Sequence, residues 1–157
     1  MEIRFAGSAD LDGWMALAES VKASFPGLET PAALADHRNT ASGFIGRGEA
    51  ICAVVDDRVA GALLFSRQES ELCFLAVLPE FRRRHIAESM VSLMLTKLEP
   101  GRDVTVATYR EGAAEGIAAR SFYKSLGFQE GELTEEFGSP VQRLVMKRDL
   151  GKGELPK

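Results

Sequence analysis

Apolar residues follow a helical period over the first part of the chain. Five of them recur there every three or four positions: Leu11, Trp14, Leu17, Ala18 and Val21. Capping residues at 8–10 precede this pattern and Phe25-Pro26-Gly27 follows it, so it predicts a helix over residues 10–24. Thr30-Pro31 supplies the cap and first-turn proline of a second, shorter helix that carries Leu34 and His37.

Strand-like runs dominate the middle of the chain. Residues 1–6 alternate in polarity as a short first strand, and apolar runs at 50–55, 59–66 and 71–78 follow the two helices. Short polar segments separate the three later runs. These runs therefore predict an antiparallel meander.

A second helical stripe begins after the meander. Its apolar positions within residues 84–98 are Ile86, Ala87, Met90, Val91, Met94, Leu95 and Leu98. A strand over 103–109, a helix over 115–126 and a hairpin from Phe128 to a last strand at 141–146 complete the pattern. Helices between strands require at least one parallel crossover, so the sequence predicts a mixed α/β fold whose central sheet is mainly antiparallel.

Length and composition fit a single globular domain. The 157 residues, 45% apolar and 27% charged, predict one domain over residues 1–150 and a polar, disordered tail over 151–157. No apolar run approaches the roughly 18 residues of a membrane span, and the first residues do not resemble a secretory signal. We therefore expect a cytoplasmic protein with no membrane partner. The net charge of −4 predicts no nucleic-acid partner.

The cysteines and histidines show no metal-ligand spacing. The chain has two of each, far apart in sequence, so we predict no metal site. Cys52 and Cys73 lie in apolar strand-like runs, where a free cysteine packs as a small hydrophobic residue. Both thiols are therefore predicted to be buried.

Three consecutive arginines stand between the meander and the long helix. The third strand of the meander breaks at Pro79, and Arg82, Arg83 and Arg84 immediately precede the helical stripe. The first turn of a helix leaves main-chain N–H groups unpaired, and the helix dipole adds partial positive charge there. This arrangement favours a site for an anion such as pyrophosphate. A solvated helix start or a weak nucleic-acid patch has the same composition.

The same segment resembles a family signature. Residues 75–87, LAVLPEFRRRHIA, resemble the signature of GCN5-related N-acetyltransferases (GNAT): an apolar strand, Pro-Glu-aromatic, then Gln/Arg-x-x-Gly-x-Gly/Ala. Arg82 and Ala87 match this pattern. His85 departs from it, because it stands at the position of the first glycine.

A second signature lies further along the chain. Residues 118–128, AARSFYKSLGF, resemble the helix of the family that ends in Tyr-x-x-x-Gly-Phe, with Tyr123, Gly127 and Phe128 at the matching positions. Gly116 replaces an asparagine often found seven residues before that tyrosine, and this departure removes a cofactor contact. Both motifs in this order, within a compatible pattern of elements, make the resemblance specific.

The resemblance implies a cosubstrate and the residues that hold it. Acetyl-coenzyme A (acetyl-CoA) is implied, with its pantetheine arm on the main chain of Leu75, Ala76 and Val77, where the strand splays from its parallel neighbour. Its pyrophosphate is implied to lie at the start of the helix beside Arg82. The implied residues of that turn are Arg83, Arg84, His85, Ile86, Ala87 and Glu88.

Direct transfer of an acetyl group to a primary amine is the implied reaction. Tyr123 corresponds to the family tyrosine near the thioester sulfur, where a phenol of pKa about 10 can protonate a departing thiolate. A tyrosine that only packs its helix against the sheet has the same sequence signature. Glu71 or Glu111 is the candidate base for the ammonium proton, unless a water chain removes it. His37 lies in the segment that commonly covers the acceptor, although a lone histidine is more often structural.

The acceptor is implied to be a small molecule or a peptide. The last hairpin borders the acceptor cleft in the family, and its acidic residues favour a cationic amine, although a plain solvated acidic turn has the same composition. These residues are Glu130, Glu132, Glu135 and Glu136. A homodimer is compatible with the chain. Two other functions use the same residues: a non-catalytic acyl-CoA-binding or sensing domain, and a nucleic-acid-binding module built on Arg82–Arg84. Release of free thiol distinguishes an enzyme from the first, and steep salt dependence would mark the second.

Overall fold

The computed structural model describes residues 1–25, 28–113, 116–136 and 138–148. Within these ranges the chain forms seven β-strands and four α-helices. In chain order they are β1 (Glu2–Phe5), α1 (Leu11–Val21), α2 (Pro31–Gly46), β2 (Ala50–Val55), β3 (Arg58–Ser66), β4 (Glu71–Val77), α3 (Ile86–Leu95), β5 (Val104–Tyr109), α4 (Ile117–Ser125), β6 (Phe128–Glu136) and β7 (Ser139–Met146). The tail predicted over 151–157 lies outside the described residues.

The described strands form one sheet in the order β1-β2-β3-β4-β5-β7-β6. Neighbouring strands in this sheet pair antiparallel, except that β4 and β5 run parallel. The parallel pair arises because α3 carries the chain back along the sheet between these two strands. The predicted mixed α/β fold, mainly antiparallel with a parallel crossover, is confirmed.

The two parallel strands separate soon after they meet. Their register contains only Glu71 opposite Thr105 and Leu72 opposite Val106, after which β4 and β5 diverge. Residues 74–77 of β4 stay paired with β3 on one side only. The sheet therefore opens at its centre, toward the carboxyl ends of both strands.

A β-bulge in β4 lies at the point of divergence. In the pairing with β3, Leu72 is opposite Phe65 and Phe74 is opposite Leu64, so Cys73 has no counterpart. A bulge of this kind bends the strand that carries the extra residue. It accounts for the way in which β4 leaves β5.

The two cysteines have different environments. Cys52 is buried, as predicted, but the prediction that Cys73 is buried is wrong, because Cys73 is exposed. The bulge and the divergence of the strands open the sheet beside Cys73. A periodicity of apolar residues contains no signal for either feature.

The helix α3 packs closely on the middle of the sheet. A β-carbon at Gly61 of β3 would lie 2.8 Å from Met90 Cε and 3.0 Å from Ile86 Cγ2, so glycine at this position lets α3 approach. The largest fully buried side chains include residues of α1, β3 and α3: Trp14, Leu17, Leu63, Phe65, Ile86, Met90 and Met94. This packing fixes the start of α3 beside the end of β4.

The helix α3 begins two residues later than the sequence pattern suggested. Arg83 and His85 have positive φ angles of 66° and 60°, in the left-handed region, so a right-handed helix can start only at Ile86. The first predicted helix, over residues 10–24, is α1 followed by a separate 3-10 turn from Lys22 to Ser24. Among the helices of the described ranges, none has the length and apolar character needed to cross a membrane.

Candidate active site

A large cavity opens where β4 and β5 diverge. Its volume is about 1260 Å³, and β4, β5, α2, α4 and the start of α3 contribute to its wall. Ordinary small-molecule pockets measure roughly 300–1000 Å³. The cavity therefore has room for two reactants rather than one.

A smaller cavity of about 420 Å³ lies beside α1 and has fewer side chains available to act on a ligand. Three of its four charged residues are already paired, because Asp10 accepts hydrogen bonds from Arg4 at 2.7 and 2.9 Å and Arg58 lies 3.1 Å from Glu80. We therefore place the candidate active site in the large cavity.

The first turn of α3 presents unpaired donors to the large cavity. Its cap residue, His85, makes no side-chain capping bond, and the N–H of Ser89 is the first to bond back, to the His85 carbonyl oxygen at 3.0 Å. The N–H groups of Ile86, Ala87 and Glu88 consequently have no partner within the helix. All three residues line the cavity, so this turn can bind an anion as the sequence predicts.

The three arginines occupy different positions. Arg82 and Arg83 line the cavity, and Arg82 Nε donates to the Val77 carbonyl oxygen at 3.2 Å. Arg84 is not part of the wall, and its guanidinium lies over the Phe81 ring at 5.2 Å. Two of the three cations are thus available to an anion in the cavity.

His85 shows why the family pattern has glycine at its position. Its φ of 60° and ψ of 24° belong to the left-handed region, which glycine adopts without strain. The His85 side chain is 81% exposed, and its Nδ1 lies 3.6 Å from Glu88 Oε1. The residue therefore lines the cavity with an accessible imidazole on a strained backbone.

The end of β4 offers main-chain groups to the cavity. Leu75, Ala76 and Val77 line it and pair with β3, while no strand of the described chain pairs with them on the side of β5. The Val77 carbonyl oxygen accepts the bond from Arg82. The remaining groups of this edge could pair with an extended amide-containing ligand.

Tyr123 lies in α4 and reaches the cavity wall. It is 6% exposed, and its ring centroid lies 5.6 Å from those of Phe122 and Phe128. Among the described residues its hydroxyl has no hydrogen-bond partner, and burial raises its pKa. Tyr123 is consequently a neutral phenol at physiological pH.

The two candidate bases differ in position. Glu71, at the start of β4, lines the cavity with 21% of its side chain exposed, whereas Glu111 is exposed and outside the cavity wall. Burial raises the pKa of Glu71, Arg143 at 3.6 Å opposes this, and the nearby Glu136 and Glu69 add to the rise. Glu71 is therefore the carboxylate better placed to accept a proton in the cavity.

His37 lines the cavity as a neutral imidazole. Its Nε2 accepts a hydrogen bond from Trp14 Nε1 at 3.0 Å, which places the single ring proton on Nδ1. Burial lowers the pKa of His37. Because its lone pair is engaged, His37 is suited to a structural role or to donation from Nδ1, and not to accepting a proton.

A close contact with a neighbouring side chain explains why position 116 is glycine. A β-carbon there would lie 2.5 Å from the Tyr109 Cβ, so no side chain fits without movement of the backbone. Tyr109 itself lines the cavity, and this side chain occupies space next to the position of the family asparagine. The sequence pattern gave no reason to select Tyr109.

The acidic residues of the last hairpin differ in position, and neither Glu132 nor Glu135 lines the cavity. Glu130 accepts hydrogen bonds from Arg120 at 2.6 Å and from Lys124 at 2.9 Å, which largely neutralises its charge. Glu136 is the member of this set that lines the cavity. Within the described ranges, no cluster of histidine, cysteine and carboxylate residues could hold a metal ion.

Aromatic residues form a part of the cavity that the sequence did not reveal. Phe25, Phe44 and Phe74 line it together with Tyr109 and Phe122. Their apolar character is the same in a core and in a binding site, so the sequence offered no signal that separates the two.

The open central sheet, the unpaired strand edge and the uncapped helix start agree with the two sequence signatures that resemble GNAT acetyltransferases. Comparison with known families agrees: the acetyltransferase (GNAT) domain matches residues 46–130, more than half of the chain. The chain belongs to the GNAT family. A search of curated proteins gives no match.

Solved structures share the fold over nearly the whole chain. A GNAT-family acetyltransferase from Bacillus cereus ATCC 10987 is 20% identical, with a TM-score of 0.72, and the match covers 94% of this chain and 96% of that one. The PaiA N-acetyltransferase from Thermoplasma acidophilum, solved in complex with coenzyme A, is 19% identical over 93% and 98% of the chains, with a TM-score of 0.65. A ribosomal-protein-alanine N-acetyltransferase from Brucella melitensis is 16% identical over 94% and 99%, with a TM-score of 0.70.

Proposed function

We propose that this protein transfers an acetyl group from acetyl-CoA to a primary amine within a ternary complex. The observation that carries the proposal is a single cavity with room for two reactants, lined at once by the uncapped turn of α3, the open edge of β4, Glu71 and Tyr123. Membership of the GNAT family and the coenzyme A complex of the Thermoplasma relative support the choice of cosubstrate.

The residues present fit acetyl-CoA. The N–H groups of Ile86, Ala87 and Glu88, with Arg82 and Arg83, would hold its phosphates, and the edge formed by residues 75–77 would hold its pantetheine arm. When bound, the cosubstrate supplies a thioester: its carbonyl carbon gains a bond to the amine nitrogen and loses its bond to sulfur.

Tyr123 would supply the proton that the departing sulfur requires. A buried phenol whose pKa is raised keeps its proton at neutral pH. Once ionised, the phenolate would be a stronger base than a thiolate of pKa about 8.5, so it would regain its proton from solvent, and the coenzyme would leave as its thiol. The hydroxyl has no competing partner among the described residues, which leaves it free to donate into the cavity.

Glu71 would accept the proton that the amine must lose. A primary amine is mostly protonated at neutral pH, and only its lone pair can attack. The carboxylate of Glu71 lines the cavity, and a raised pKa makes it a better proton acceptor than an ordinary glutamate. From Glu71 the proton can pass to solvent, because part of the side chain is exposed.

The proposal is tested by incubating the pure protein with acetyl-CoA and a panel of amines, followed by measurement of free thiol and of product mass. Glu71→Gln should lower the rate by about 10²–10⁴-fold if Glu71 is a general base. Glu111→Gln, at an exposed position outside the cavity, is the matched control and should leave the rate unchanged. Binding of acetyl-CoA without thiol release on any amine would favour a non-catalytic acyl-CoA-binding domain instead.

A further inference from the structure

The bulge at Cys73 brings two unlike residues to one face of β4. Glu71 is opposite Ser66 and Phe74 is opposite Leu64, and residues 64 and 66 of β3 point to the same side. Without the extra residue, positions 71 and 74 would point to opposite faces. The carboxylate of Glu71 and the ring of Phe74 therefore face the same side of the sheet, and both line the large cavity.

Phe74 is the centre of an aromatic wall formed by Phe25, His37 and Phe74. The Phe74 ring centroid lies 4.9 Å from that of Phe25 and 4.7 Å from that of His37. The bond from Trp14 fixes the orientation of His37 and keeps it neutral. The wall is therefore a rigid, uncharged surface suited to an apolar group or to the flank of a cation.

Carboxylates supply the charge on this side of the cavity. Glu71 and Glu136 both line it and lie close enough for Glu136 to raise the pKa of Glu71. In the described part of the wall, the arginines are Arg82 and Arg83, which follow the far end of β4. That end lies about 20 Å along the strand from Glu71, at about 3.3 Å per residue. Arg143, outside the wall, lies 3.6 Å from Glu71 and offsets part of its charge, so a ligand beside Glu71 meets the remaining negative charge of Glu136 together with the aromatic surface.

We propose that the acceptor is a small hydrophobic monoamine: a primary amine on an aromatic or aliphatic body that carries no carboxylate. This inference rests on the proposed function and specifies its substrate. The body packs on the aromatic wall, and the ammonium group lies toward Glu71 and Glu136. A carboxylate on the acceptor would be repelled, and a polyamine has no apolar body to pack on the wall, so amino acids and polyamines fit less well.

A matched series of amines tests this assignment. Phenethylamine is compared with ethylamine, which lacks the ring, with phenylalanine, which adds a carboxylate, and with spermidine, which adds charges. We expect kcat/KM for phenethylamine to exceed each of the others by at least tenfold. A phenylalanyl dipeptide amide tests a peptide acceptor. A value of kcat/KM for ethylamine, phenylalanine, spermidine or the peptide that lies within tenfold of that for phenethylamine would overturn the proposal.

Two variants locate the effect on the aromatic wall. Phe25→Ala should reduce kcat/KM for phenethylamine about tenfold or more while ethylamine is little affected, since only the ring is lost from contact. Leu133→Ala is the matched control, because Leu133 is 60% exposed and not part of the cavity wall. Equal losses for both amines in Phe25→Ala would indicate a general structural defect and would contradict a role for the wall in recognition.

Direct binding separates this inference from the proposed function. Phenethylamine and ethylamine are titrated by calorimetry against the protein with coenzyme A present, without turnover. If no amine releases thiol but phenethylamine binds more tightly than ethylamine and Phe25→Ala removes the difference, the proposed reaction fails and the site assignment stands. If thiol is released with other amines while phenethylamine neither binds nor reacts, the reaction stands and this inference fails.

Discussion

His85 combines a strained backbone with a side chain that makes few contacts. Its left-handed conformation costs a residue with a β-carbon about 1 kcal/mol or more relative to glycine. In return the structure shows one long contact, 3.6 Å to Glu88, between two exposed side chains. The family pattern has glycine here, and the backbone angle explains that preference without reference to the ligand.

We predict that His85→Gly raises the thermal stability of the protein and changes its affinity for acetyl-CoA by less than about tenfold, or 1.4 kcal/mol. Relief of about 1 kcal/mol corresponds to a rise in Tm of about 2–4 °C for a chain of this size. Differential scanning calorimetry and an acetyl-CoA titration measure the two effects.

The substitution His85→Ala is the control for this prediction. Alanine removes the imidazole but keeps the backbone strain, so its Tm should stay near that of the wild type. If both variants lose acetyl-CoA binding completely, the imidazole is an essential ligand and the backbone argument is insufficient.

For Tyr123, deletion of the hydroxyl should separate chemistry from packing. We predict that Tyr123→Phe lowers turnover by about 10²–10⁴-fold, provided that chemistry limits the rate, and leaves acetyl-CoA binding nearly intact. The hydroxyl has no partner among the described residues, so its removal should change the free energy of unfolding little. Single-turnover rates and a melting curve on one preparation measure both quantities.

A purely structural tyrosine would give the reverse result. Phenylalanine keeps the ring that packs on Phe122 and Phe128, so turnover of the folded protein would be unchanged. That outcome would remove Tyr123 from the list of catalytic residues.

At the scale of elements, two neighbouring arginines in the turn between β4 and α3 occupy different positions. Arg83 lines the cavity. The neighbouring Arg84 is not part of the wall and lies over the Phe81 ring. We predict that Arg83→Glu reduces the stabilisation given by millimolar acetyl-CoA, because it places negative charge beside the N–H groups that would hold phosphate. Arg84→Glu should reduce this stabilisation less.

Thermal melts with and without acetyl-CoA compare the two charge reversals directly. The net charge changes equally in both variants, so a general electrostatic effect would act on both alike. Identical losses of stabilisation, or none in either variant, would contradict an anion site at this turn.

Local patterns predicted the helices and strands well, but not the irregularities between them. The apolar stripe after residue 84 predicted a helix, and the structure has α3 from Ile86. The later start depends on the positive φ of His85, and apolar periodicity carries no information on that angle. The bulge at Cys73 was missed for the same reason, and with it the exposure of that thiol.

At the scale of the whole molecule, a carboxylate joins the first strand to the first helix. Asp10 accepts hydrogen bonds from Arg4 at 2.7 and 2.9 Å and from the Gly7 N–H at 2.8 Å. The bonds from Arg4, against the effect of burial, lower the pKa of Asp10. A carboxyl with a lowered pKa stabilises the fold above its unfolded pKa of about 3.9, and this contribution is lost as the pH falls through the folded pKa.

We predict that Asp10→Asn lowers the free energy of unfolding by about 1–3 kcal/mol at pH 7 and by less at pH 3. Urea denaturation at the two pH values measures the difference. Asp12→Asn is the control, because the Asp12 side chain is 92% exposed and should contribute little at either pH. A loss for Asp10→Asn that is the same at both pH values would show that its effect is not electrostatic.

The composition of the candidate site was predictable in part. The turn of α3, the edge of β4 and Tyr123 follow local motifs, and each of them lines the cavity. The choice of Glu71 over Glu111 depends on where distant strands lie, and the aromatic wall joins residues from three separate elements. Such contacts arise from tertiary packing, so one sequence does not specify them.

The short contact between β4 and β5 divides the sheet into two parts with a narrow seam. Two residue pairs join the strands, and Ser70 adds a bond from Thr105 N–H to its carbonyl oxygen at 3.0 Å and one from its hydroxyl to Asp103 O at 2.7 Å. Amide protons of residues 73–77 that do not bond to β3 should therefore exchange with deuterium faster than those elsewhere in the sheet. An extended ligand lying in the seam would act as an additional strand, so acetyl-CoA should slow this exchange. It should also make the two parts of the sheet unfold as one cooperative unit.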